Sequence, residues 1–92
     1  METLVQVLIP CKVSQGMFDS EYAVTITLPT GEIISLFADK GLIHFKGEAT
    51  YLLVNLVREH NGNGERRILL PTETFETGSR WVDIRSKDLV PA

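Results

Sequence analysis

The chain has almost no cysteine, no long apolar run and no excess of basic residues, and each absence excludes a class of protein. Its 92 residues contain one cysteine, Cys11, so no disulfide can form within the chain. Small secreted domains usually carry several cysteines, so we expect a reducing, cytoplasmic compartment. No apolar run reaches the roughly 18 residues of a membrane-spanning helix, and the N-terminus lacks the positive region of a signal peptide. We therefore expect no membrane segment.

The charge balance argues against nucleic-acid binding. Twelve acidic and nine basic residues give a net charge of −3, whereas a nucleic-acid interface needs a concentrated basic surface. The only adjacent basic pair is Arg66–Arg67, and neighbours in a strand point to opposite faces. Single-stranded nucleic acid can also stack on aromatic side chains of a small barrel, but basic residues do not interleave with the aromatics here.

Residues suited to metal binding or catalysis are few and scattered. The soft ligands are Cys11, His44 and His60, and their spacings match no zinc site. A lone cysteine at the end of an apolar run is usually a small buried hydrophobe and not a nucleophile. No Gly-rich phosphate loop is present. We therefore expect no metal, no cofactor and no catalytic group.

The sequence does contain a succession of short, β-branched runs separated by Gly, Pro, Asn and Asp. Such spacing is typical of a small β-sandwich or barrel. The clearest run is 21–28, in which four apolar residues alternate with smaller or polar ones and so share one face of a strand: Tyr22, Val24, Ile26 and Leu28. Pro29-Thr30-Gly31 supplies turn chemistry, and 32–37 is the predicted return strand.

The remaining runs predict further strands. Residues 3–13 are nearly all apolar, so this strand is either buried on both faces or changes face midway, and Pro10 indicates an edge or a bulge. Shorter runs lie at 42–45, 65–70, 81–84 and 89–90, and 72–80 is a predicted polar loop. Short connections favour antiparallel neighbours. The pattern resembles small barrel modules of the Src-homology or oligonucleotide-binding type in architecture only, which implies no function.

The segment 49–60 is compatible with two structures. It fits a buried helix capped at Asn61-Gly62, or a central strand that leads into a hairpin turn over 61–64. The strand is favoured because Asn-Gly doublets between apolar runs are the strongest short-range hairpin signal. The sequence thus predicts a single all-β domain over residues 1–92, an antiparallel barrel or sandwich of five to six strands. A helix at about 49–60 would instead make the domain α+β.

Two loops carry large apolar side chains. The first holds Met17 and Phe18 beside Asp19, and the second holds Phe75 and ends at Trp81. Exposed methionine and aromatic residues are enriched at protein interfaces. The competing interpretation, which is slightly favoured, is that Met17 and Phe18 fold back to close the end of a barrel. If the two loops meet at one rim, these apolar residues form one binding patch.

Three functions follow in order of preference. The first is a non-enzymatic interaction module or assembly subunit that binds another protein or itself through the two loops, with the candidate residues Met17, Phe18, Asp19, Phe75 and Trp81. The second is a small-ligand or enzymatic site at the barrel mouth, built from Cys11, His44, Asp19 or Glu21. The third is single-stranded nucleic-acid binding.

Overall fold

The computed structural model describes residues 5–60 and 64–92, and in this part the chain is all-β, with every strand pair antiparallel. The prediction of an all-β class is therefore confirmed. Two short 3₁₀ segments, Lys40–Leu42 and Ser86–Asp88, join strands, and no helix of the described residues could span a membrane. The strands are β1 (Val5–Pro10), β2 (Lys12–Gln15), β3 (Glu21–Thr27), β4 (Ile33–Asp39), β5 (Ile43–Lys46), β6 (Ala49–His60), β7 (Glu65–Leu69), β8 (Trp81–Arg85) and β9 (Val90–Pro91).

The strands form two sheets. The larger has the order β8-β7-β6-β1-β9, with β5 also paired to β6, and the smaller has the order β2-β3-β4. The twelve-residue β6 is the central strand: β1 pairs along 51–56 on one side, and β5 and β7 share the other side. The segment 49–60 is therefore a strand, as favoured above, and the helix alternative is wrong. The turn was predicted over 61–64, and residues 61–63 of it lie outside the described residues.

The described chain has nine strands, more than the five to six expected, and one predicted run supplies two of them. Residues 3–13 were expected to be buried on both faces or to change face midway, and the structure shows β1 in the larger sheet and β2 in the smaller one. Cys11 lies between them, and its N–H donates to the carbonyl of Thr50 at 3.0 Å. Pro10 pairs with Tyr51 of β6, while β9 reaches only Val7 and Leu8 on the other side of β1. Pro10 thus lies at an open edge, where its missing N–H costs no ladder bond.

The two sheets form a sandwich, and the barrel alternative is wrong for the described part of the chain. Closure would require edge strands of the larger sheet to pair with the edge strands β2 and β4 of the smaller one, and no such pair forms among the described residues. The loop after β7 lies along β4 instead. The N–H of Phe75 donates to the carbonyl of Ser35 at 2.9 Å, and the Glu76 carboxylate accepts from the N–H of Ser35 at 2.7 Å. Loop and side-chain groups thus cover an edge that a strand would otherwise have to pair.

The core lies between the sheets and draws on both. It contains the inward-facing residues Val7, Ile9, Val24, Ile26, Ile34, Leu36, Ala38, Ile43, Leu52, Val54, Ile68, Leu70 and Ile84. The alternation predicted for 21–28 holds, since Val24 and Ile26 are buried while Tyr22 and Leu28 pack at the margins. The predicted turn also forms: the N–H of Gly31 donates to the carbonyl of Leu28 at 2.9 Å, and Gly31 has a φ of 91°.

Candidate functional site

The loop between β2 and β3 presents two large apolar side chains to solvent. Met17 is 74% exposed and Phe18 is 67% exposed. The interpretation that they fold back to close the end of the core is therefore wrong. Nearby, the Tyr22 ring packs edge-to-face against Phe45 with 6.2 Å between the ring centroids. Tyr22 packs against the core and is partly buried, whereas Phe45 is largely exposed.

The backbone of this loop is held in place at both ends. The N–H of Glu21 donates to the carbonyl of Phe18 at 3.2 Å, and the N–H of Lys40 donates to the carbonyl of Ser20 at 2.9 Å. Gly16 packs so closely that a Cβ at this position would lie 2.7 Å from the carbonyl oxygen of Glu21. The exposed side chains are therefore carried on an ordered turn, which lowers the entropy lost when they are buried by a partner.

Asp19 adds a charge to the apolar tip. It follows Phe18 directly and is exposed. Lys40 bonds to the loop through its backbone N–H, and its Nζ lies 5.0 Å from the centre of the Tyr22 ring, in a cation–π arrangement. The tip of the loop therefore consists of Met17, Phe18 and Asp19. We call these three residues the apolar tip.

The other two predicted interface residues lie elsewhere. Phe75 is 62% exposed and packs edge-to-face on Phe37, with 5.0 Å between the ring centroids. Trp81, which is half exposed, begins β8 and lines a slot of about 330 Å³ together with residues 28–30 of the β3–β4 turn. That turn and the apolar tip lie at opposite ends of the seven-residue β3, roughly 23 Å apart at ~3.3 Å per residue. Trp81 and the apolar tip therefore do not share one rim.

A cleft of about 500 Å³ opens at the turn end of β3, between the two sheets. Its accessible apolar side chains are Pro10, Leu28 and Ile33, which lie above buried core residues. Its rim carries Lys12, Arg85 and Asp88. Sequence reasoning missed this cleft because its walls come from β1, β3 and β8, which are far apart in the chain. The one available signal was Pro10, which marks the point where the chain leaves the larger sheet.

The rim of the cleft is weakly cationic. Arg85 donates from Nη2 to the carbonyl of Pro29 at 3.2 Å, a neutral partner that leaves its charge unbalanced. Among the side chains that the structure describes, those of residues 5–57 and 64–92, the one ion pair joins Arg67 and Asp83 at 3.2 Å, so Lys12 and Arg85 have no carboxylate partner among them. With Asp88 as the only acidic lining residue, two cations and one anion leave a formal charge of +1.

The second hypothesis required Cys11, His44, Asp19 or Glu21 to form one site. Cys11 lines the cleft, and burial raises the pKa of its thiol to about 11, so it is protonated and unreactive at neutral pH. His44 lies on β5 opposite Tyr51, and the two acids lie at the far end of β3. The structure does not bring these residues together, so it provides no nucleophile–base arrangement.

Metal and nucleic-acid sites have no geometric support in the described residues. No three side chains from His, Cys, Asp and Glu within that part of the chain are placed to hold a metal ion. Arg66 and Arg67 point to opposite faces, as expected: Arg66 lies opposite core Ile84, and Arg67 lies opposite Asp83. Comparison of the chain with protein-family models, with curated proteins and with solved structures gives no match. The function must therefore be argued from the apolar tip and the cleft.

Proposed function

We propose that the domain is a protein-binding module and that the apolar tip is its anchor. The observation that carries this proposal is the exposure of two adjacent large apolar side chains, Met17 and Phe18, on a hydrogen-bonded loop. Burying a side chain of this size contributes about 1.5–3 kcal/mol. A few such residues at the centre of an interface supply most of its binding energy.

The shape and charge of the tip restrict the partner. Because Met17 and Phe18 project from a turn, they fit a partner with an apolar recess and not a flat surface. Asp19 beside them favours a cation at the rim of that recess, since a partly desolvated ion pair fixes orientation as well as adding attraction. The proposed partner surface is therefore concave, apolar at its floor and basic at its rim.

Phe75 and Trp81 are not part of the proposed anchor. They are comparably exposed apolar side chains, but Phe75 packs on β4 and Trp81 lines the slot at the far end of β3. This arrangement makes them matched controls. Removing one of them changes the exposed apolar area to a similar degree without touching the tip.

The proposal is tested by affinity capture from a lysate of the source cells, with mass spectrometry as the readout. The bait is the wild-type chain, the double variant Met17→Ala, Phe18→Ala, or the control Phe75→Ala, each first shown by urea unfolding to be folded. We expect a stoichiometric protein that is retained by wild type and by Phe75→Ala and is lost with the double variant. Retention of the same proteins by all three baits would contradict the proposal.

A further inference from the structure

The apolar tip and the cleft are complementary, and the complementarity identifies a partner. We propose that the tip of one copy inserts into the cleft of a second copy, so that identical chains assemble head to tail. This inference rests on the proposed function, because it names the partner that the tip binds.

The shapes of the two surfaces match. The tip is a projection made by two consecutive side chains on a fixed turn, and the cleft is a recess between the sheets. At about 500 Å³ the recess falls within the ~300–1,000 Å³ of ordinary ligand pockets. Its accessible apolar lining is formed by Pro10, Leu28 and Ile33, against which an inserted Phe18 ring would exclude water.

The charges match as well. Asp19 follows Phe18 and brings one carboxylate to the rim when the ring enters the recess. The rim holds Lys12 and Arg85, neither of which has a carboxylate partner among the described side chains of residues 5–57 and 64–92. With Asp88, the formal charge of the rim is +1, which balances the single carboxylate. An Arg or Lys to carboxylate bond at a partly buried rim is charge-assisted and sets the register of the two copies.

The contact must form between molecules. The tip and the cleft lie at opposite ends of β3, roughly 23 Å apart at ~3.3 Å per residue, so the tip of a chain cannot reach its own cleft. Each copy carries one tip and one cleft, which makes the interface heterologous. Such interfaces close into rings or continue as filaments, so assembly is not limited to dimers.

The first test is sedimentation velocity from micromolar to millimolar concentration. Wild type is expected to grow beyond two chains, whereas the tip variant Met17→Ala, Phe18→Ala and the cleft variant Lys12→Glu, Arg85→Glu lose assembly and stay monomeric. Phe75→Ala and Lys46→Glu change an exposed ring and an exposed cation outside the tip and the cleft, and they assemble like wild type. If the double cleft variant does not fold, Lys12→Glu alone replaces it, because the Lys12 side chain is exposed.

The second test mixes the two monomeric variants. The cleft variant retains its tip and the tip variant retains its cleft, so an equimolar mixture is expected to form a heterodimer and nothing larger. Adding Asp19→Lys to the cleft variant restores the charge match within one chain and is expected to recover self-assembly at least in part. A contact through any other surface would show neither behaviour.

The outcomes separate this inference from the proposed function. If wild type stays monomeric up to millimolar concentration, or if the mixed variants do not associate, the head-to-tail contact is overturned. In that case capture of a different protein through Met17 and Phe18 would still support a protein-binding module. If the tip variant neither loses self-assembly nor loses a captured protein, both proposals fail.

Discussion

The two ends of β3 use apolar residues in opposite ways. At one end Met17 and Phe18 project from a turn into solvent, and at the other end Pro10, Leu28 and Ile33 line a recess. The projection carries one carboxylate at its side, and the rim of the recess carries two cations and one anion. A small domain with one core thus presents a convex apolar surface beside a negative charge and a concave one with a net positive rim. We propose that these accessible apolar residues serve contacts between molecules.

The largest effect should come from truncating the core that both ends share. Leu52 is fully buried on β6 between its two neighbouring strands. We expect Leu52→Ala to lower the free energy of unfolding by about 2–5 kcal/mol. Phe18→Ala, at an exposed position, should change it by less than about 0.5 kcal/mol. Urea unfolding measures both, and an equal loss in the two variants would show that Phe18 is a core residue.

The thiol of Cys11, which lines the cleft, should react more slowly in the folded protein than in the unfolded chain. Burial raises the pKa of Cys11 from 9.0 to about 11. At pH 8 the thiolate is therefore about 100-fold scarcer in the folded protein, and alkylation should be slower by about that factor than in urea. As pH rises, the thiol loses its proton at a lower pH in the unfolded chain than in the folded one. Its contribution to the free energy of unfolding is therefore complete below pH 9 and is lost as pH rises to about 11. Equal alkylation rates in the two states would place Cys11 outside the cleft.

The turn that carries the apolar tip should be sensitive to a single methyl group. A Cβ at position 16 would lie 2.7 Å from the carbonyl oxygen of Glu21, whereas at Gly41 it would meet only the Asp39 side chain, at 3.4 Å. We expect Gly16→Ala to cost about 1–3 kcal/mol, as overpacking typically does, and Gly41→Ala to cost less. The same substitution should weaken any contact that Phe18 makes. Equal unfolding free energies for both variants would show that the turn is not tightly packed.

The smallest effect concerns the edge of β4, away from both ends. The hydroxyl of Ser35 donates to Glu76 and its N–H donates as well, and these bonds lower the pKa of the Glu76 carboxyl. Because the pKa of Glu76 is lower in the folded chain, its carboxylate stabilises the fold at pH values above 4.5, the pKa in the unfolded chain. This stabilisation is lost as pH falls through the pKa of the folded chain. We expect Glu76→Gln to be slightly less stable than wild type at pH 7 and to match it in acid. Urea midpoints at the two pH values measure this, and a pH-independent difference would contradict it.

Much of the fold could be predicted because local signals agreed. Alternation in 21–28, turn chemistry at Pro29-Thr30-Gly31 and the Asn-Gly doublet after 49–60 all favoured antiparallel strands. Closure into a barrel could not be judged in this way. Closure depends on pairing between edge strands of the two sheets. At β4 the backbone bonds come instead from Phe75 and Glu76, whose position along β4 no local pattern encodes.

The sequence predicted one part of the candidate site, the loop with Met17 and Phe18, and did not predict the cleft. Met17 and Phe18 stood out as apolar residues in a polar loop, but whether they point outward depends on the backbone of the turn, which no period-two or helical pattern encodes. The cleft was not visible, because Lys12 and Arg85 are 73 positions apart and meet only through the sheet topology. Periodicity describes one element at a time, so a recess formed by three elements lies beyond it.

The central claim, that the apolar tip binds a protein, is tested most directly by site-specific photocrosslinking in the source cells. A benzophenone-bearing amino acid replaces Phe18 in one variant and Phe75 in the other, since both rings are about two-thirds exposed. The account predicts a discrete crosslinked product from position 18, either with another protein or with a second copy through its Lys12 and Arg85 rim, and none from position 75. No product at position 18, or the same products at both positions, would contradict it.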